Sequence, residues 1–248
     1  MTDIDPLQNR CVLITGGAKR LGAAIARAMH GAGARVALHC LHSRAEAEQL
    51  APDFTSLRAD SATVVTADSR QVDAIAGLVE TVIERFGRLD VLVNNASCFF
   101  PTPVGEITLR HWEDLIGTNL RGPLFVSQAA APALRDARGS IINMADIHGQ
   151  RPLKRHTVYS AAKAGLIMMT LSLARELGPE VRVNAIAPGP VLWPEAGLPT
   201  ALKDEIVAKT ALKRAGTPDD IAQMALFLAA AAPYVTGQVI AVDGGRSI

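Results

Sequence analysis

Tyr159 and Lys163 stand four residues apart in a segment, 158–177, whose periodicity predicts a helix, so both project from one face. An ammonium beside a phenol favours the phenolate and draws its pKa toward neutrality, which a proton donor to a reduced substrate requires. Taken alone, such a pair is more often a surface tyrosine and a solvated lysine. A second feature lies near the start of the chain, where Thr15-Gly16-Gly17-Ala18-Lys19-Arg20-Leu21-Gly22 follows the apolar run 11–14. Glycines in a strand-to-helix turn let backbone approach a pyrophosphate, which the helix N-terminus stabilises; a tight connection explains the same glycines. About 20 residues on, where a free ribose 2′-hydroxyl usually meets a carboxylate, the chain reads His39-Cys40-Leu41-His42-Ser43-Arg44. A 2′-phosphate would find Arg44, Ser43 and a histidine there, which favours NADPH over NADH, the alternative being a solvated loop. Asp68 either accepts from the adenine amino group or serves as a turn residue or helix cap.

These groups need a scaffold, and the hydrophobic pattern supplies one. Short apolar runs at 11–14, 36–39, 63–66, 89–93, 140–144, 181–186 and 239–242 read as buried strands. Between them, helical stripes run through Leu21, Ile25, Ala28 and Met29, then over 72–86, 112–134, 158–177 and 221–228. Strands alternating with helices predict one α/β domain over residues 1–248, a Rossmann-type doubly wound parallel sheet of about seven strands. Pro194 and Pro199 break the pattern in 191–210, which is expected to be a mobile loop. Ligands in such sheets bind beyond the carboxyl ends of the strands.

The composition narrows the function. Lysine plus arginine number 25 and aspartate plus glutamate 24, a net charge of +1 that offers no general attraction to nucleic acid or anionic lipid. The first ten residues, with Asp3, Asp5 and Pro6, lack a signal peptide's apolar stretch, and the alanine-rich run 224–232 is too short to span a bilayer. Cys11, Cys40 and Cys98 are scattered without metal-ligand spacing, which fits a reducing cytoplasm and no bound metal.

Thr15-Gly16 with Gly22, Asn94-Asn95-Ala96, Asn119, Tyr159-Ser160-Ala161-Ala162-Lys163 and Pro188-Gly189 resemble, in order and spacing, the short-chain dehydrogenase/reductase family over nearly the whole chain. The resemblance implies an NADP-binding oxidoreductase. Its cofactor set would comprise Gly16, Lys19, Arg20, Leu21, His39, His42, Ser43, Arg44, Asp68, Asn94, Ala96, Ser97, Met144, Tyr159, Lys163, Pro188 and Gly189. Asn94 and Ala96 would line the adenosine side and Pro188-Gly189 the nicotinamide. Asn119 would support a water linking Lys163 to solvent. A homotetramer is also implied, with interfaces on the helices near 112–134 and 158–177 and on the last strand. The ending Asp243-Gly244-Gly245 resembles the family's, so the chain is expected to be complete.

Three departures are informative. Asp146 stands where most members carry a serine that donates to a ketone oxygen, and an ionised carboxylate there would repel a developing oxyanion. It suits a substrate that presents N–H groups or needs a proton relayed to a ring nitrogen. Arg20 replaces the middle glycine and could bridge pyrophosphate and a polar substrate. Ser97-Cys98-Phe99-Phe100-Pro101-Thr102-Pro103 replaces the usual glycine, and Phe99 could stack a flat heterocycle against the nicotinamide or plug the core under its loop. Together these resemble the pteridine reductases, which implies Asp146, Tyr159 and Lys163 as the catalytic set and Arg20, Ser97 and Phe99 on the pterin. Trp193, in the 191–210 segment, is expected to help choose the substrate. The expected reaction is hydride transfer from NADPH to C=N bonds of biopterin, dihydrobiopterin and dihydrofolate, Tyr159 serving one nitrogen and Asp146 the other. The alternatives are a carbonyl reductase, such as a 3-oxoacyl thioester reductase, and a non-catalytic NADPH-binding sensor.

Overall fold

The computed structural model describes residues 5–193 and 197–248, so the expectations placed on Asp3 and Pro194 lie outside it. The strands are β1 (Cys11–Thr15), β2 (Arg35–Cys40), β3 (Ala62–Thr66), β4 (Val91–Asn94), β5 (Ser140–Met144), β6 (Arg182–Pro188) and β7 (Val239–Val242). All lie in one parallel sheet ordered β3-β2-β1-β4-β5-β6-β7. The doubly wound sheet predicted from the alternation is the one observed.

Parallel neighbours need crossovers, and helices provide them: α1 (Arg20–Gly31), α2 (Arg44–Leu57), α3 (Val72–Phe86), α4 (Leu109–Ile116), α5 (Gly122–Asp136), α6 (Thr157–Leu177), α7 (Thr200–Ala208) and α8 (Pro218–Ala230). Because strand side chains alternate, β1 feeds two cores. Val12 and Ile14 pack with Ile25 and Met29 of α1 and Ile221 and Leu228 of α8. Cys11 and Leu13 face the opposite way, toward Ile75 and Val79 of α3 and Val126 and Leu134 of α5. Strands covered on both faces read as continuous apolar runs, and for that reason they were visible in sequence.

Three expectations need correction. The helix foreseen over 112–134 is present but not regular: α4 runs into α5 through a π-helical turn, Gly117–Arg121, which contains Asn119. The turn closes with an i→i+5 bond from the Gly122 amide to the Gly117 carbonyl, and five residues are too short a stretch for periodicity to reveal it. The segment 191–210 is no simple loop, since residues 200–208 form α7, which follows Pro199 as helices often follow a proline. The helix α2 also went unforeseen because its apolar stripe is weak and Pro52 lies within it. The 21-residue α6 is the one described helix long and apolar enough to cross a membrane, and 56% of its apolar window is buried inside the molecule.

Between β1 and β4 the sheet order reverses, β1 pairing with β2 on one side and β4 on the other. The helices leave in opposite directions there, which opens a crevice at the strands' carboxyl ends. Close contact of α1 with the turn before it shapes that crevice: a Cβ on Gly22 would sit 2.1 Å from the Gly16 carbonyl oxygen. Gly22→Ala is therefore expected to destabilise the fold by about 2 kcal/mol or more, lowering the thermal midpoint by several degrees in a calorimetric scan.

Candidate functional site

A cleft of about 500 Å³ occupies the crevice, with Gly16, Lys19, His39, His42, Ser43, Asp68, Ala96 and Ser97 on its walls. Gly16 has φ +62°, and a Cβ there would lie 3.0 Å from the Ala96 Cα, so the turn needs glycine. The turn is pinned to the strand opposite. Thr15 Oγ1 accepts from the Asn95 and Ala96 amides, and Asn95 Nδ2 donates to the Thr15 and Gly16 carbonyls.

Beyond β5, one turn deeper, Tyr159 and Asp146 meet. The Tyr159 hydroxyl donates to Asp146 Oδ2 at 2.7 Å, while Asp146 Oδ1 accepts from the His148 amide at 2.8 Å. The carboxylate is thereby oriented by the short helical turn Ile147–Gly149 that it caps. Burial, then the Asp146 charge, push the Tyr159 phenol well above its ordinary pKa. Lys163, on the same face of α6, donates from Nζ to the Met144 carbonyl at 2.7 Å, and burial lowers its pKa to about 8. The site thus holds a protonated phenol locked onto a carboxylate, with an easily deprotonated lysine 5.7 Å from the ring centre.

Ser97 Oγ donates to Asn119 Oδ1 at 2.6 Å, and Asn119 Nδ2 donates to the Cys98 and Leu115 carbonyls. Phe99 is 46% exposed and lies edge-on to Tyr159, ring centres 4.8 Å apart. Its own ring is stacked on His156 at 4.5 Å and 12°. Phe100 is the neighbour that packs inward, against Leu115, Val158 and Tyr159. Phe100 is thus the one that plugs the core under the loop, and Phe99 is left half-exposed.

Residues 16–247 match the family described as enoyl-(acyl carrier protein) reductase. The chain belongs to the short-chain dehydrogenase/reductase family. It is 34% identical over 277 residues to pteridine reductase 1 of Leishmania tarentolae, covering 95% of this chain and 96% of that one. It is 35% identical over 246 residues to the granaticin polyketide synthase putative ketoacyl reductase 2 of Streptomyces violaceoruber, covering 95% of each. A blue fluorescent protein from a metagenomic library, solved in complex with NADPH, superposes with a TM-score of 0.92 at 34% identity over 98% of this chain and all of that one.

This short-chain dehydrogenase/reductase is accordingly an oxidoreductase that binds a nicotinamide cofactor, and the cleft fits one. Besides the glycine cradle, the wall carries a buried acceptor left without a partner, His39 Nδ1. His39 Nε2 bonds the Ala67 carbonyl at 3.0 Å and so carries the proton, and burial lowers the ring's pKa. The neutral Nδ1 can take a hydrogen bond from a ribose hydroxyl or an amino group, and offers no cation to a phosphate. Ser43 is the N-cap of α2 without turning its hydroxyl onto the helix, so that oxygen and the helix's first amides face the end of β2.

Several sequence expectations change in three dimensions. Arg44 lies off the cleft wall, because its guanidinium folds along α2 onto Glu48 at 2.7 Å. Lys19 is on the wall but pairs with Glu46 in the first turn of α2. Such an exposed pair is weak and would yield to a phosphate dianion. The Asn94 side chain points into the molecule, donating to Asn143 and Ser127, and Leu21 packs against the core under the sheet. Asn119 Nδ2 donates to the Cys98 and Leu115 carbonyls and Oδ1 accepts from Ser97, so its side chain also fixes the loop after β4. The lysine does not pull the Tyr159 phenol toward neutrality; burial and Asp146 outweigh it. Asp68 is held by Arg70 through both carboxylate oxygens, and Arg70 continues to Asp114 at 2.7 Å. Pro188 ends β6, and the Gly189 amide donates to the Val242 carbonyl, with no room for a Cβ beside Asp243.

Sequence reasoning missed Arg70, Asp114 and His156. The first two meet only because β3 and α4 flank one crevice, and a lone histidine before a helix carries no pattern. Arg20 is the other surprise. Its φ is +53°, a left-handed conformation that costs a non-glycine residue about 1 kcal/mol. From there the guanidinium donates to the Trp193 carbonyl at 3.0 Å, tying the glycine turn to the segment over the site. Lys203 of α7 sits above the Trp193 ring at 5.8 Å.

Two predictions follow from this geometry. Arg20→Gly removes the tie and the left-handed cost together, so the thermal midpoint should stay within a few degrees while limited proteolysis near Trp193 accelerates. For Lys163, the folded pKa of about 8 lies below the ordinary 10.5. The folded protein binds fewer protons between those values, so stability rises with pH across that window and the burial penalty is complete below it. Lys163→Met should therefore raise unfolding free energy at pH 7 by about 1 kcal/mol, after the loss of the Met144 hydrogen bond, with no gain left near pH 10.5 in urea titrations.

Proposed function

We propose that the chain is an NADPH-dependent pteridine reductase that reduces C=N bonds in biopterin, dihydrobiopterin and dihydrofolate. The observation that carries this reading is the 2.7 Å hydrogen bond from the Tyr159 hydroxyl to Asp146. A ketone reduction builds negative charge on oxygen and calls for converging donors; here a carboxylate faces that position. Reduction of a C=N bond builds charge on nitrogen, which needs a proton, and a pterin presents amino and ring N–H groups that a carboxylate accepts.

The bound cofactor supplies a hydride, two electrons, to the carbon of the C=N bond, and one proton completes the N–H. Tyr159 donates that proton, since burial and Asp146 keep it protonated at neutral pH. Asp146 orients the phenol and, at the second C=N bond, relays a proton taken from solvent water to the other nitrogen. Phe99, half-exposed, with one face on His156 and at right angles to Tyr159, would meet the flat ring with its open side. Arg20, Ser97 and Trp193 close the site around the substrate. The similarity to pteridine reductase 1 supports the substrate class. For the phosphate of NADPH the support is Ser43, His42 and Lys19 on the wall beyond β2. The unpaired thiols of Cys11, Cys40 and Cys98 fit the cytoplasm, and the exposed Trp112, Met168 and Leu171 support a homotetramer.

The test is oxidation of NADPH, followed at 340 nm, with the pterins set against simple ketones and 3-oxoacyl thioesters. Pterin turnover with NADPH above NADH is the expected result, and Asp146→Ser should cost it about 100-fold or more while admitting ketones. Turnover of 3-oxoacyl thioesters with inert pterins would assign the chain to ketoacyl reduction. Tyr159→Phe with unchanged turnover would remove the tyrosine from the chemistry.

A further inference from the structure

We infer that the preferred substrate carries an anionic group remote from its reacting ring, held by Lys154 and Arg155 at the mouth of the site; this rests on the flat-heterocycle reading above. Charge across the chain is nearly balanced, 25 cations against 24 anions, yet residues 147–175 contain no aspartate or glutamate. Within that stretch Arg151, Lys154 and Arg155 are clustered between Asp146 and Tyr159.

The fold puts this cluster where a substrate's tail would emerge. The Thr102 amide donates to the Arg155 carbonyl at 2.5 Å, and Thr102 bridges to His156, so the segment is bound to the loop that carries Phe99. The His156 ring, next along, stacks on Phe99, whose edge meets Tyr159. Lys154 and Arg155 directly precede, in the chain, the histidine that stacks on Phe99. Arg155 holds φ +66°, a conformation that glycine would adopt without cost.

Lys154 and Arg155 are exposed, and no described carboxylate lies within ion-pair distance of either. Other exposed cations do have carboxylate partners, among them Arg27 with Asp53, Arg85 with Asp60, Arg121 with Glu113 and Arg214 with Asp220. Arg151 commits Nε to the Ser247 carbonyl, which leaves the other two for a ligand. Adjacent unneutralised cations beside an apolar ring surface attract a ligand that is flat at one end and negative at the other. Carboxylates, as on a glutamyl tail, and a phosphate monoester share that chemistry.

The experiment compares kcat/KM, at saturating NADPH, for dihydrobiopterin with its neutral side chain, dihydrofolate with its two carboxylates, and a dihydropterin bearing a side-chain phosphate monoester. At least one anionic substrate should exceed dihydrobiopterin by about 10-fold at low salt, and the excess should shrink several-fold as ionic strength approaches about 0.5 M. Whichever anion leads identifies the source. The double variant K154Q/R155Q should abolish the excess while dihydrobiopterin changes less than about twofold. Equal kcat/KM for neutral and anionic substrates, or an equal loss on all three in the variant, overturns the inference and leaves the pterin reading intact. Inertness of all three, with turnover of a 3-oxoacyl thioester, overturns both.

Discussion

A parallel strand can pair with its neighbour only if the chain first returns to the strand's starting end, and in this protein helices make those returns over both faces of one sheet. Both faces are consequently covered, and most strand side chains are apolar, with His39, Asn94 and Asn143 among the buried polar exceptions. Much of the polar chemistry of the cleft falls to the residues immediately after each strand, with His39 at the end of β2 beside them. Gly16 and Lys19 follow β1, His42 and Ser43 follow β2, Asp68 follows β3, Ala96 and Ser97 follow β4, Asp146 follows β5 and Gly189 follows β6. The reversal of strand order between β1 and β4 turns that row of strand ends into a cleft.

Inside the cleft, burial sets the proton chemistry. Lys163 is buried completely enough to fall to about 8, and Tyr159 is raised by burial and by its carboxylate partner. The two shifts move the groups apart in basicity, so the phenol holds its proton more firmly than the ammonium does. Asp146 is held from behind by the His148 amide, so the phenol it receives has a fixed direction. The surrounding polar groups are similarly committed: Asn119 is saturated by Ser97, Cys98 and Leu115, and Asp68 by Arg70. Preorganisation of this kind leaves little to rearrange when a substrate arrives.

Two local irregularities sit beside the site. The π-helical turn Gly117–Arg121 places Asn119 inward, where its amide reaches both the preceding helical turn and the loop after β4. A regular helix would rotate that side chain by a fraction of a turn and lose one of those contacts. Arg20 adopts a left-handed backbone in the glycine turn and spans to Trp193. In both cases departure from regular geometry is offset by hydrogen bonds that connect elements distant in sequence.

By itself the sequence determined the seven-stranded sheet and most of its crossovers, α2 excepted, and it singled out the Tyr–Lys pair and the glycine turn. Apolar runs of strand length, glycines in one turn and a Tyr–Lys pair at helical spacing are local signals, and local signals survive without knowledge of the fold. Asp146 was legible for the same reason, since it follows a readable strand. Tertiary structure decided which charges face one another: Arg44 goes to Glu48, Lys19 to Glu46, Arg70 to Asp68 and Asp114, and Phe99 to His156. It also decided that Asn94 turns inward and that Tyr159 is raised in pKa where its lysine neighbour alone would lower it. Side-chain pairing and desolvation depend on distances between residues far apart in the chain, and no local pattern encodes those distances.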